Sequence, residues 1–84
     1  MNQLDATDMV SPLPILKARR LLEKMAVGDM LEVRATDRES VQDIPAFCQT
    51  SGHQLIMARE EGNVIIFEIR KGVRPELPDP DSGG

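Results

Sequence analysis

Asp8–Arg20 reads DMVSPLPILKARR. Two prolines, Pro12 and Pro14, stand one residue apart, and the small hydroxyl residue Ser11 comes just before them. Proline holds φ near about −65° and has no N–H, so a helix tolerates it only in the first turn. The stretch therefore marks the end of a loop and the start of a helix. Ser11 is expected as the N-cap, with Pro12 at the first helical position and Pro14 in the first turn. Beyond it Ile15, Ala18, Leu22 and Met25 recur at spacings of three and four, one apolar stripe that Leu21 widens. Lys17, Arg20 and Lys24 line the opposite side, and Gly28 is a natural stop.

The same periodicities extend outward. QLDAT, Gln3–Thr7, alternates with Leu4 and Ala6 on one side and predicts a short strand before the proline segment. MLEVRAT, Met30–Thr36, alternates cleanly with Leu31, Val33 and Ala35 on one face. Asp37 suits the N-cap of a second helix whose inward stripe is Val41, Ile44, Phe47 and Cys48. Pro45 removes one hydrogen bond from that helix and predicts a kink or an irregular first turn. Gly52 ends it. HQLIMARE and VIIFEIRK predict two more strands, joined by the short turn Glu61–Asn63. The order is βαβαββ. It predicts an α/β (α+β) two-layer sandwich, a four-stranded mixed sheet with two helices on one face. Glu32, Arg34, Glu68 and Arg70 would cover the other face, with Val64 and Ile66 among them.

With 84 residues the chain has room for one small domain, expected over residues 1–72. The remainder, residues 73–84, is rich in Pro, Gly and acids and is expected to be a disordered tail. With two phenylalanines and neither Trp nor Tyr, the core must be aliphatic. A net charge of −4 with so few aromatics argues against direct nucleic-acid binding, which needs a basic footprint and stacking platforms. No apolar run approaches the ~20 residues of a membrane span. The N-terminus has neither the basic nor the apolar region of a signal peptide, and the single Cys48 cannot form an internal disulfide. A cytoplasmic setting without a membrane partner is the expectation.

Residue 11 sits where the dipole and free N–H groups of a helix favour an anion. A cysteine in such a place has a lowered pKa and becomes a thiolate nucleophile. The local reading, that Ser-Pro only starts a helix, stands beside this one. LDATDMV, Ser11 and PLPILKARRLLEKM together resemble the opening of the TusA/SirA-like sulfur-carrier family, which runs from Leu-Asp to Cys-Pro-x-Pro and the first helix. GDMLEVRATD, DIPAFCQTSGHQL and FEIRKG continue the likeness in register, over residues 4–72.

The resemblance implies a βαβαββ sandwich and a role in sulfur relay. A cysteine desulfurase or rhodanese-like donor would load a persulfide, and the carrier would pass it to an acceptor protein. Family outputs are tRNA thiolation, molybdenum-cofactor maturation and sulfur oxidation. No cofactor is implied, and the protein would be a carrier rather than a stand-alone turnover enzyme. Ser11 stands where the family has its cysteine, with Pro12 and Pro14 positioning it. A hydroxyl cannot hold a persulfide, so the chain as written is expected to be transfer-incompetent. An engineered exchange and a natural variant both fit that serine. The alternative is a non-catalytic interaction or regulatory module using the same surface. Lys17, Arg20 and Lys24 are candidates for docking an acidic partner, or simply a solvated helix face. Cys48 is expected to be buried and inert. The single His53, far along the chain from Ser11, does not make a hydrolase dyad. Metal-ligand spacing is absent. The terminal SGG could suggest a ubiquitin-like carrier, but the β-grasp order is missing.

Overall fold

The computed structural model describes residues 2–73. All of the expected disordered tail except Val73 lies outside the described residues. The elements are β1 (Asn2–Ala6), α1 (Leu13–Lys24), β2 (Met30–Ala35), α2 (Ser40–Ser51), β3 (Gln54–Glu61) and β4 (Val64–Arg70). They form a four-stranded sheet in the order β1-β2-β4-β3. β1 and β2 are parallel, from Asn2 opposite Leu31 to Ala6 opposite Ala35. β4 is antiparallel to both β2 and β3. It is therefore wedged between two strands, β2 and β3, that run the same way. The hairpin explains the wedge. Glu61 pairs with Val64 across a two-residue turn, Gly62–Asn63, in which Gly62 has φ +62°. So tight a turn forces β3 and β4 to be antiparallel neighbours.

Both helices pack on one face, as the apolar patterns predict. Leu31, Val33 and Ala35 of β2 lie opposite Ile69, Phe67 and Ile65 of β4, and all six are buried in one cluster. Ala18 and Leu22 of α1 join that cluster, with Ile44, Phe47 and Cys48 of α2. Ile15, Leu21 and Met25 pack at its margin. On the far face Glu32 lies directly opposite Glu68, and Arg34 bonds Glu32 through Nε at 3.0 Å. Ile66 shares that face but is fully buried. Its partners in register are Arg34 and Arg59, one on each neighbouring strand, long side chains of the kind whose hydrocarbon stems can cover an apolar neighbour.

Several local expectations change. α1 begins at Leu13, so Pro12 takes the cap position and Pro14 is the second helical residue. Ser11 is one residue too early to cap, and its hydroxyl bonds elsewhere. α2 begins at Ser40 rather than just after Asp37. Asp37 instead heads the preceding turn, where its Oδ1 accepts from the Glu39 N–H at 3.0 Å. Val41 is 45% exposed, and Ser40 is buried in its place. Ser40 lies seven residues before Phe47 and Val41 seven before Cys48, so each falls about 20° from a buried position, but Ser40 lies inside the arc from Phe47 to Cys48 and Val41 just outside it. Pro45 lies inside α2, which is continuous across it. In β3 the register slips between Leu55 and Met57, which leaves Ile56 on the exposed side of a bulge.

The far end closes on glycine. Gly52 ends α2 in the left-handed region, at φ +79°. A Cβ on Gly72 would stand 1.8 Å from the Gly52 carbonyl oxygen, so the two backbones cross where only glycine fits. The Gly72 N–H donates to His53 Nδ1 at 3.1 Å.

Candidate functional site

Parallel pairing of β1 and β2 sends both following loops, residues 7–12 and 36–39, to the carboxyl end of the sheet. Sites in α/β sheets commonly form at that end. Here the two loops are tied together. The Asp8 N–H donates to Thr36 Oγ1 at 2.8 Å, and the Ser11 N–H donates to Asp37 Oδ2 at 2.6 Å. The Ser11 hydroxyl donates to Asp43 Oδ2 on α2 at 2.8 Å. Behind Ser11, the Leu13 N–H closes a turn onto the Val10 carbonyl at 2.9 Å, across a cis Ser11–Pro12 bond. Residue 11 is thus fixed from three directions and remains half-buried at the surface.

The electrostatics differ from the simple helix-start picture. Asp37 is held below the usual carboxylate range, by the hydrogen bond from the Glu39 N–H first and then by that from Ser11. Asp43 lies in the first turn of α2. Two of the protein's own carboxylates therefore occupy the space in which an anion was expected. That changes the prospect for a thiol at position 11. A carboxylate close to a thiol favours its protonated form, whereas a helix dipole favours the thiolate.

Among the described residues, Lys17, Arg20 and Lys24 are exposed and none belongs to an ion pair. They do not form one cluster at Ser11. Lys17 opens the second turn of α1, whereas Lys24 is the last residue of the helix, about 10 Å further along the axis. An apolar rim escaped the sequence reading: Val10 is 66% exposed, Leu13 43% and Leu16 46%. Their exposure was hidden by the apolar stripe of α1. Leu16 falls between the stripe positions Ile15 and Ala18, and this could have been read as an outward apolar residue. Val41, the residue of α2 expected inside, is exposed as well.

Cys48 is in the core, and burial pushes its thiol up to about 11. His53 faces Phe47 with ring centroids 5.7 Å apart. Neither residue is among the groups bonded to Ser11. No group of three or more His, Cys, Asp or Glu among the described residues is placed to hold a metal ion. No helix among them is long and apolar enough to cross a membrane.

The family model described as sulfurtransferase TusA matches residues 2–71. This chain belongs to the TusA family. It is 44% identical over 70 residues to the sulfur carrier protein TusA of Allochromatium vinosum, covering 83% of this chain and 92% of that relative. It is 35% identical to the putative sulfur carrier protein YrkI of Bacillus subtilis, over 82% and 92% of the two chains. The crystal structure of a SirA-like protein from Desulfitobacterium hafniense superposes with a TM-score of 0.77. It shares 24% identity, and the match covers 87% of this chain and all of that one. That likeness is one of fold, and it agrees with the βαβαββ order expected of a TusA-family chain.

Proposed function

We propose that the protein is a carrier in a sulfur relay, with residue 11 as its loading position. The observation that supports this most is the fixing of residue 11. Hydrogen bonds tie its main chain and its side chain to two other elements, while Pro12 and Pro14 restrict the backbone after it. A side chain so placed meets a partner's active site with little ordering left to do. Relatives carrying the sulfur-carrier name cover most of their length with this domain. The donor would be a cysteine desulfurase or a rhodanese-like protein, and the product would be a persulfide handed to an acceptor protein. Thiolated tRNA, the molybdenum cofactor and sulfur oxidation are the outputs to examine, in a cytoplasmic setting. Lys17 and Arg20 would help dock the donor, with Lys24 at the far end of the same face. Residues 1–72 would do this work without residues 73–84.

With Ser11 in place the chain should bind a donor and accept no sulfur. Ser11→Cys restores the chemistry. Incubated with a desulfurase and cysteine, that variant should gain the mass of one sulfur at position 11, whereas the Ser11 chain should not. No gain with any donor of either class would remove the proposal. A second reading is favoured by the exposed apolar residues Val10, Leu13 and Leu16, which flank position 11 whatever residue it holds. In that reading the chain is an interaction module. Calorimetry would then find binding by the Ser11 chain that is unchanged in the Ser11→Cys variant, with no transfer from either.

A further inference from the structure

The Ser11 hydroxyl donates to Asp43 at 2.8 Å, and both side chains are half-buried. Its N–H donates to Asp37 at 2.6 Å. Asp37 comes from the loop after β2, and Asp43 from α2. Neither carboxylate belongs to an ion pair among the described residues. The other charges near these elements do not offset them. Asp8 lies on the same loop as Ser11, and Glu39 is exposed beside Asp37. Arg38 is drawn away to Glu60 on β3. Lys17 is exposed on α1 and makes no hydrogen bond to Ser11, Asp37 or Asp43.

We propose that Asp43 is the positioning residue of position 11. It holds that side chain toward α2 and, where the side chain is a thiol, keeps the proton on sulfur. The purpose of this arrangement rests on the sulfur-relay reading. A neutral S–H can donate to the carboxylate as the serine O–H does, whereas a thiolate would face it as a like charge. The free carrier is then guarded against small electrophiles and oxidants, which attack thiolates. A partner that loads the site must turn the side chain away from Asp43, or bring it a cation or N–H donors.

The test is the rate of alkylation by iodoacetamide against pH. It uses Ser11→Cys alone, then Ser11→Cys with Asp43→Asn or Asp43→Glu. The Ser11 chain, whose single thiol is Cys48, supplies the background. With Asp43 present the midpoint should lie at or above the ordinary value of about 8.5. Asp43→Asn should lower it by about one unit and speed alkylation at pH 7 on the order of tenfold. Asp43→Glu, which keeps the charge, should keep the high midpoint. Superimposable profiles with and without the carboxylate would overturn the proposal, as would a midpoint far below 8.5 in Ser11→Cys itself. Sulfur uptake from a desulfurase, read by mass, separates the two ideas. A chain that alkylates as expected but takes up no sulfur leaves the role of Asp43 standing and removes the relay. One that loads sulfur while its profile ignores Asp43 overturns the proposal and leaves the relay.

Discussion

Cys48 lies 2% exposed within the apolar cluster, and desolvation alone raises its pKa to about 11. At pH 8 roughly one molecule in a thousand then carries the thiolate that reacts. Thiol reagents should therefore modify the native chain slowly and the urea-unfolded chain fast, and equal rates would place the thiol at the surface. His53 makes the opposite kind of statement. Burial first, and the charge of Lys71 second, lower its pKa from 6.5. Its Nδ1 accepts from the Gly72 N–H, and a protonated ring loses that acceptor. The unfolded chain thus binds this proton more readily than the folded one. The contribution of His53 is fully present above pH 6.5 and is lost as pH falls through the lowered folded value. The urea midpoint should decline across that window, and His53→Gln should flatten the decline. A midpoint that rises on acidification there would contradict the assignment.

Among the elements, the glycines in the β3–β4 turn and after β4 carry different loads. Gly72 meets the Gly52 backbone so closely that a methyl group has no room. Gly62, at φ +62°, has nothing within 4 Å of where its Cβ would be. Gly62→Ala should therefore cost only the left-handed strain, about 1 kcal/mol. Gly72→Ala must separate two backbone segments and should cost about 1–3 kcal/mol or more. Urea denaturation compares the two directly, and equal costs would mean that the crossing relaxes freely. The loops at the other end work by hydrogen bonding. Asp37→Ala removes the acceptor for both the Ser11 and the Glu39 N–H groups. It should loosen the loop before α1 and the turn before α2 together, which amide exchange at Ser11 and Glu39 would register.

For the whole molecule, one side of the sheet carries most of the burial. Phe67 is central to it, with Val33 and Ala58 as its partners in register. Phe67→Ala should cost about 3–5 kcal/mol, a large part of what a domain of this kind has. Ile66 is just as inaccessible but lies on the other face, between two arginines in register whose stems can close over a smaller side chain. Ile66→Ala should fall near the low end of about 2–5 kcal/mol. A larger loss at Ile66 than at Phe67 would show that the outer face is a second core.

The layers and their order could be read from the sequence because they follow from periodicity. Alternation in Met30–Ala35 and threefold-to-fourfold spacing in α1 each point to one buried face. Proline, glycine and turn chemistry then mark where the elements end. What needed the tertiary structure was everything that depends on contacts between distant segments. The position of β4 between β2 and β3 is set by competition among strand pairings, to which local patterns are blind. The exposure of Val41 depends on the rotation of α2 against the sheet. The acidic surroundings of residue 11 are the clearest case. Ser11 and Asp43 are 32 residues apart, and only the parallel pairing of β1 with β2 and the seating of α2 bring them within hydrogen-bonding distance. The sequence alone determined that residue 11 stands at a proline-stiffened helix start. The tertiary structure decided which charges it faces there, because electrostatic neighbours are chosen by the fold and not by the chain.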